Sequence, residues 1–424
     1  MTENFLHYLW QNRLFTQPLT TTFNETVTVI NPGFHNTNAG PDFSDARLSI
    51  GETMWAGNVE IHVNSSDWFK HGHQNDEAYK NVVLHVVYRH DAHEKFPGMP
   101  VCELAGRIDT GLYDAYCQFI ESPEFVHCAG LIQQVPETEL SLWLERMLIE
   151  KLEHKADFIQ DALNASQNDW EEALYHIIAR SFGFSINALP FEILARSVTY
   201  KILAHHAGNN HQMEALLFGQ AGLLTQDLTD PYAQSLFQEY SFLRTKYKLA
   251  PIAPSLWKYL RLRPVNFPTI RIAQFANLLS SNAGLLSKII SMNSIDEMAD
   301  VFMVETSGYW NDHYTFDHYT KGKTKRLGQS AAHLLIINAV LPFMFVYGSS
   351  TGNDHLCNKS LSLFERIPGE NNAAIRQWRL LGMDVSTAYN TQALMGMKEL
   401  YCDRNNCLNC RIGNLIFKDP GFIK

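Results

Sequence analysis

Between Asn38 and His62 the chain reads NAGPDFSDARLSIGETMWAGNVEIH, and three of its side chains, Asp42, Glu60 and His62, are of types that hold divalent cations. The run MWAGNVEIHV has the texture of a strand, so Asn58, Glu60 and His62 share one face while Val59, Ile61 and Val63 share the other. Alternate residues on a strand repeat at roughly 6–7 Å. Asp42 lies just before a second strand, ARLSI, and the tight turn at Gly51 makes a hairpin that can carry its carboxylate toward Glu60. Two carboxylates on neighbouring strands, with water filling the remaining positions, suit a hard cation such as Mg²⁺ or Mn²⁺. Such a cation activates water and neutralises charge at a phosphoryl group. The same residues also read as a solvated strand face beside an ordinary Pro-Asp turn.

Histidines crowd this part of the chain. His62, His71, His73, His85, His90 and His93 are six of the 18 present, all within about 30 residues. His71-Gly72-His73 with Asp76 could supply further ligands, which makes a transition-metal hydrolase built on the segment 62–93 a separate reading, with Zn²⁺ as its ion. His85 sits in VVLHVVY, apolar on both faces, where a hydrogen-bonded core histidine is the expectation.

The elements that must position these groups follow from the change in texture near residue 127. Before it, a helix NFLHYLWQNRLF, with Thr2 or Asn4 as cap, precedes strands at 26–30, 46–50, 54–63, 82–88 and 99–105, separated by NPG, IGET and FPG. A short helix capped by Ser65 or Ser66 fits between the third and fourth strands. From Pro136 onward, PETELSLWLERMLIEKLEHKADFIQDAL opens a helical pattern, with further helices expected at 169–182, 188–206, 211–224, 231–247, 269–280, 328–347 and 371–400. The fold class is therefore α+β: an N-terminal α/β domain over 1–127 and an all-α region over 136–424. The proline-rich stretch 251–268 is a candidate joint between two helical subdomains.

The order of elements, with P-D leading into one strand and V-E-I-H on the next, resembles the PD-(D/E)xK nuclease superfamily over about the first 125 residues. The resemblance implies a mixed-sheet, restriction-endonuclease-like domain in which Asp42 and Glu60 bind the metal and His62 stands where the motif has lysine. A histidine lacks lysine's constant charge near neutral pH, so His62 must be protonated by its neighbours or become a ligand, with Lys70 or Lys80 reaching in from the following helix. HNTNAGPDF, WAGNVEIHVNSSDW, HGH, VVLHVVY and the terminal YCDRNNCLNCRIG also resemble, over nearly the whole chain, an uncharacterised bacterial family designated domain of unknown function 2851. That resemblance implies no activity.

Two further clusters carry chemistry. Cys402, Cys407 and Cys410 form C-x4-C-x2-C, whose second half fits a metal knuckle, with Cys357 or His355 as distal candidates for the remaining ligand. Zinc or an iron–sulfur cluster would suit such a set, and free thiols in a reducing compartment are the alternative. Lys321, Lys323, Lys325 and Arg326 lie beside Tyr309, Trp310, Tyr314, Phe316 and Tyr319, a pairing of charge and rings that can hold phosphates and stack on bases. A solvated lysine-rich loop beside a core aromatic cluster gives the same pattern.

Composition bounds the function classes. A formal net charge of -10 means that nucleic acid must be met by a local basic patch. Seven scattered cysteines do not resemble a secreted disulfide framework, no uninterrupted apolar span stands out, and the start lacks the pattern of a leader, so the expectation is a cytoplasmic protein with no membrane partner. Neither a phosphate-binding glycine loop nor a G-x-S-x-G elbow is present. The functions expected are a metal-dependent phosphodiesterase acting on nucleic acid or, alternatively, a non-catalytic binding or scaffold protein that keeps a nuclease-like fold.

Overall fold

The structure, a computed structural model, describes residues 1–36, 38–92, 96 and 99–418; His93 lies outside the described residues. The chain divides into two units: Met1–Trp143 together with Met397–Lys424, and Leu144–Gly396. The cysteine-rich C-terminal segment thus groups with the sheet and not with the helices, and the helical unit is an insertion within the sheet unit.

In the sheet unit, α1 (Glu3–Asn12) forms because Phe5, Leu6, Leu9 and Trp10 make one apolar stripe, and all four are fully buried. Thr2 takes the extended cap geometry without a side-chain hydrogen bond, and Arg13 ends the helix at φ +54. Seven strands follow: β1 (Leu19–Thr20), β2 (Thr26–Asn31), β3 (Phe34–His35), β4 (Phe43–Ile50), β5 (Thr53–Asn64), β6 (Val82–Arg89) and β7 (Val101–Glu103). Helix α2 (Asp67–Lys70) lies between β5 and β6, and α3 (Thr110–Ile120) follows β7. The sheet order is β1-β2-β4-β5-β6-β7, with β3 paired to β4. Pairings are antiparallel up to β5 and parallel from β5 through β7, which makes the sheet mixed.

The buried residues of β4 are Phe43, Ala46, Leu48 and Ile50, a sequence that breaks strict alternation once. A bulge accounts for it. The register shifts between Phe43 and Ala46, and Asp45 there adopts φ +55. One face of the sheet packs Val59, Ile61, Leu84 and Val86 against α1 and α3, with Leu408 and Phe417 of the C-terminal segment in the same core. The other face carries a smaller cluster of Trp68, Val82, Val87, Phe96, Met99 and Val101.

The Leu144–Gly396 unit is mostly helical, with a small hairpin of His313–Thr315 and His318–Tyr319. Asp169, Asn209, Asp230, Asn353 and Asn372 cap successive helices through their side chains. The pattern expected over 188–206 breaks at Val198 into Ala188–Ser197 and Tyr200–Ala204. The one expected over 371–400 becomes Ala373–Leu380 and Ala388–Met397, separated by a turn at Gly382 with φ +79. The helix at Asp354–Arg366 has no counterpart among the expected elements. The proline-rich stretch forms two 3-10 turns inside this unit, where the Trp257 indole N–H donates to Ala221 O and Asn187 both donates to and accepts from the Lys258 backbone. One helical stretch, Gln329–Ser350, is long and apolar enough to cross a membrane; most of it is buried, as in a core helix.

Gly219 marks the closest approach between helices Asn210–Gln220 and Pro231–Tyr247, because a Cβ there would sit 2.2 Å from the Tyr240 ring. Gly219→Ala is expected to destabilise the protein by about 1–3 kcal/mol through overpacking. Gly308→Ala, where a Cβ meets nothing within 4 Å, should stay within about 0.5 kcal/mol of wild type. Urea denaturation of both variants beside wild type checks the pair.

Candidate metal centre

The bulge in β4 decides where Asp42 points. With Phe43 opposite Val59, Asp42 reaches the Glu60–Ile61 peptide, and the two strands exchange side chain for backbone: Ile61 N–H donates to Asp42 Oδ2 at 2.9 Å and Asp42 N–H donates to Glu60 Oε2 at 3.1 Å. The expected face holds, since Val59 and Ile61 enter the core while Glu60 and His62 point to the other side. That side is not solvated, however. Glu60 is 4% exposed and His62 is 2% exposed.

What covers them is the segment that follows β5. Gly72, at φ +77, lets the chain turn so that His71 and His73 both return toward His62, a backbone geometry that residues with a Cβ seldom adopt. One nitrogen from each of His62, His71 and His73 lies within 4.8 Å of the other two. His62 Nε2 is 3.1 Å from His71 Nδ1, and Glu60 Oε1 is 3.5 Å from His62 Nε2 and 3.3 Å from His73 Nε2. Ligands about 2.1 Å from a tetrahedral ion stand about 3.4 Å from one another, so these spacings are those of a ligand shell. Behind the shell, His85 Nε2 is 2.9 Å from His62 Nδ1, the Tyr79 ring stacks on His73 at 3.9 Å, and Trp68 packs against both His73 and His85. His71 is exposed and forms the open side.

The electrostatics ready the imidazoles for a cation, while Glu60 would have to release a proton to join them. Burial, then the neighbouring His73 and His71, brings His62 down to about 4, and burial followed by His71 lowers His73. His85 is held well below the usual histidine range by burial and then by His62. All three are neutral imidazoles near pH 7, the form that binds metals. Burial pushes Glu60 up to about 9, assisted by the charge of Asp42. For Asp42 burial acts upward, but His7, with Nε2 at 3.2 Å from Oδ2, and the Ile61 N–H outweigh it and keep the carboxyl below its ordinary range. His7, delivered by α1, carries no sequence signal that separates it from the other polar positions of that helix.

Other anticipated residues are placed elsewhere. Lys70 pairs with Asp67 at 2.6 Å on the surface and Lys80 pairs with Glu77. Asp76 caps a 3-10 turn by accepting from Ala78 N–H. In the helical unit Lys321 and Lys323 are exposed, whereas Lys325 turns inward: its ammonium donates to the carbonyls of Trp310 and Asn311 and lies over the Tyr314 ring. Arg326 donates to Met303 O. Cys357 also belongs to the helical unit, where its Sγ is 3.4 Å from Phe345 O, while Cys402, Cys407 and Cys410 belong to the sheet unit.

The sequence model of the family described as "Protein of unknown function (DUF2851)" matches residues 3–373. No curated protein and no solved structure matches the chain.

The end of β5 is anchored by Ser65, fully buried, whose Oγ accepts from Asp91 N–H and Ala92 N–H and lies 2.9 Å from His90 Nδ1. Ser65→Ala removes the acceptor of these part-buried donors and should cost about 0.5–1.5 kcal/mol. Chemical denaturation monitored by tryptophan fluorescence measures the loss.

Proposed function

The chain belongs to the DUF2851 family, and for it we propose a metal-dependent phosphodiesterase whose ion is held by His62, His71, His73 and Glu60. The observation that carries this reading is the set of imidazole nitrogens gathered within 4.8 Å, with Glu60 Oε1 at 3.3 and 3.5 Å from two of them. Three imidazole nitrogens and one carboxyl oxygen, which gives up its proton to bind, are the donor set of a transition ion such as Zn²⁺ or Mn²⁺ more than of Mg²⁺, which prefers an all-oxygen shell. When bound, the ion would supply a Lewis acid and a water of lowered pKa.

The residues of the chain divide the remaining work. Asp42 N–H occupies Glu60 Oε2, which leaves Oε1 turned to the imidazoles. His62 Nδ1 lies 2.9 Å from His85 Nε2, and the tautomer in which Nδ1–H donates there would present an unprotonated Nε2 to the centre. Asp42 and His7 stand beside the ligands, with His7 Nε2 3.2 Å from Asp42 Oδ2. The exposed His71 side leaves room for substrate. The phosphodiester class rests on the resemblance of P-D and V-E-I-H to the nuclease motif. Exposed Lys321 and Lys323, with Tyr319 75% exposed beside them, offer a surface for nucleic acid.

The test compares wild type, His71→Ala, His73→Ala and Lys70→Ala for hydrolysis of bis(p-nitrophenyl) phosphate and of single- and double-stranded DNA and RNA with Zn²⁺, Mn²⁺ or Mg²⁺. The two histidine variants should lose about 100-fold or more in activity at limiting metal, and Lys70→Ala should match wild type. Full activity in both histidine variants sinks the proposed ligand set; Mg²⁺-specific activity that then disappears in Asp42→Asn and Glu60→Gln assigns the ion to the carboxylates. Absence of hydrolysis on every substrate points to the binding-protein alternative. Lys321→Ala combined with Lys323→Ala should weaken nucleic-acid binding and flatten its dependence on log salt by up to about 0.9 for each phosphate no longer neutralised, with hydrolysis of the small substrate unchanged.

A further inference from the structure

The sheet unit contains a second set of ligand-type side chains, spaced more widely than the histidines, and one member comes from a distant part of the sequence. Cys128, Cys402, Cys407 and Cys410 are all free thiols of this unit. Three of them are under a tenth exposed. The segment before Cys128 is tied to the loop between Cys402 and Cys407 by His127 Nε2, 2.8 Å from Asn405 Oδ1, and Lys398 lies 4.7 Å over the Phe125 ring. Cys407 and Cys410 are joined in one turn by the Cys410 N–H to Cys407 O hydrogen bond. Gly413 lets the helix Arg411–Lys418 start directly against that turn, since a Cβ there would lie 2.1 Å from Cys407 O.

A buried donor lies beside this group. Trp143 packs edge-on against Tyr401, the neighbour of Cys402 in the chain. Trp143 is itself nine-tenths buried, and its indole N–H has no nitrogen or oxygen partner among the described residues. A buried indole N–H of this kind is matched better by a metal-bound thiolate than by a neutral thiol, which is a weak acceptor. A thiophilic metal is the partner that four free thiols brought together from two segments, three of them buried, would share.

We propose that Cys128, Cys402, Cys407 and Cys410 are the four ligands of a structural metal centre, a zinc ion or an iron–sulfur cluster, which closes the sheet unit. Four thiolates from a knuckle and a distant segment suit either. Binding releases the four thiol protons to solvent and forms four metal–sulfur bonds, with no change of oxidation state required.

The experiment is anaerobic purification of the full chain followed by zinc, iron and sulfide analysis and visible absorbance, in a parent protein and its Cys128→Ser, Cys410→Ser and Cys357→Ser derivatives. All four carry His71→Ala and His73→Ala, so that the histidine centre does not contribute metal. Expected is either about one zinc per chain without colour or a few irons with matching sulfide and visible absorbance. Cys128→Ser and Cys410→Ser should lower that content about tenfold or more, and Cys357→Ser should retain it. A parent protein without zinc or iron overturns the proposal, as does a folded Cys128→Ser that keeps its metal. If the serine variants do not fold, titration of the parent with p-hydroxymercuribenzoate decides: metal released in step with four thiols supports the centre, and release independent of thiol modification overturns it.

Discussion

A carboxyl group that is 4% exposed in the middle of a strand must have partners, and Glu60 imposes that requirement on everything around it. One oxygen is satisfied across the sheet by Asp42 N–H, which requires the β4 bulge. The other faces His62 and His73, which requires the left-handed turn at Gly72. Asp42 in turn needs the Ile61 N–H and His7, so α1 is drawn over the same strand pair. The buried acid therefore specifies the bulge, the turn and the docking of the first helix together, and none of these is explained by hydrophobic burial alone.

Much of this is legible in the sequence, for a physical reason. Strands β4, β5 and β6 are long enough for alternation to show, and Glu60 and His62 at alternate positions of a β-branched run can only share a face. The H-G-H triplet is legible too, because glycine between two ligand types permits a tight return. Strands β1 and β3 are not visible, since two residues carry no period. The helix Asp354–Arg366 escapes notice because DHLCNKSLSLFER is polar on most of its surface and its apolar stripe is thin. His7 and Cys128 cannot be recognised at all, because each becomes meaningful only beside partners that the fold brings from elsewhere in the chain.

Lysine-rich and cysteine-rich motifs fare differently because charge and thiol have different freedom. In TKGKTKR three lysines look alike in sequence, yet one of them, Lys325, is spent on two carbonyls and a ring. Local sequence cannot tell which lysine will turn inward, since the choice depends on whether unsatisfied carbonyls lie within the reach of its stem. For cysteine the ambiguity is the missing member of the set. C-x4-C-x2-C offers three candidate ligands by spacing, while the fourth that we propose comes from the segment beside His127 and not from the nearest upstream cysteine in the chain.

The core that holds Phe5 and Ile61 also holds Leu408 and Phe417. A ribosome releases this polypeptide from its first residue onward, at roughly 5–20 residues per second, so the sheet waits for its last packing partners until the whole helical insertion has been made. The helical unit can fold while it is still tethered, its contacts already present. The sheet unit cannot complete its core until the segment that follows the helical insertion has been made, and during that interval its apolar face beneath α1 and α3 is the surface that a chaperone would meet.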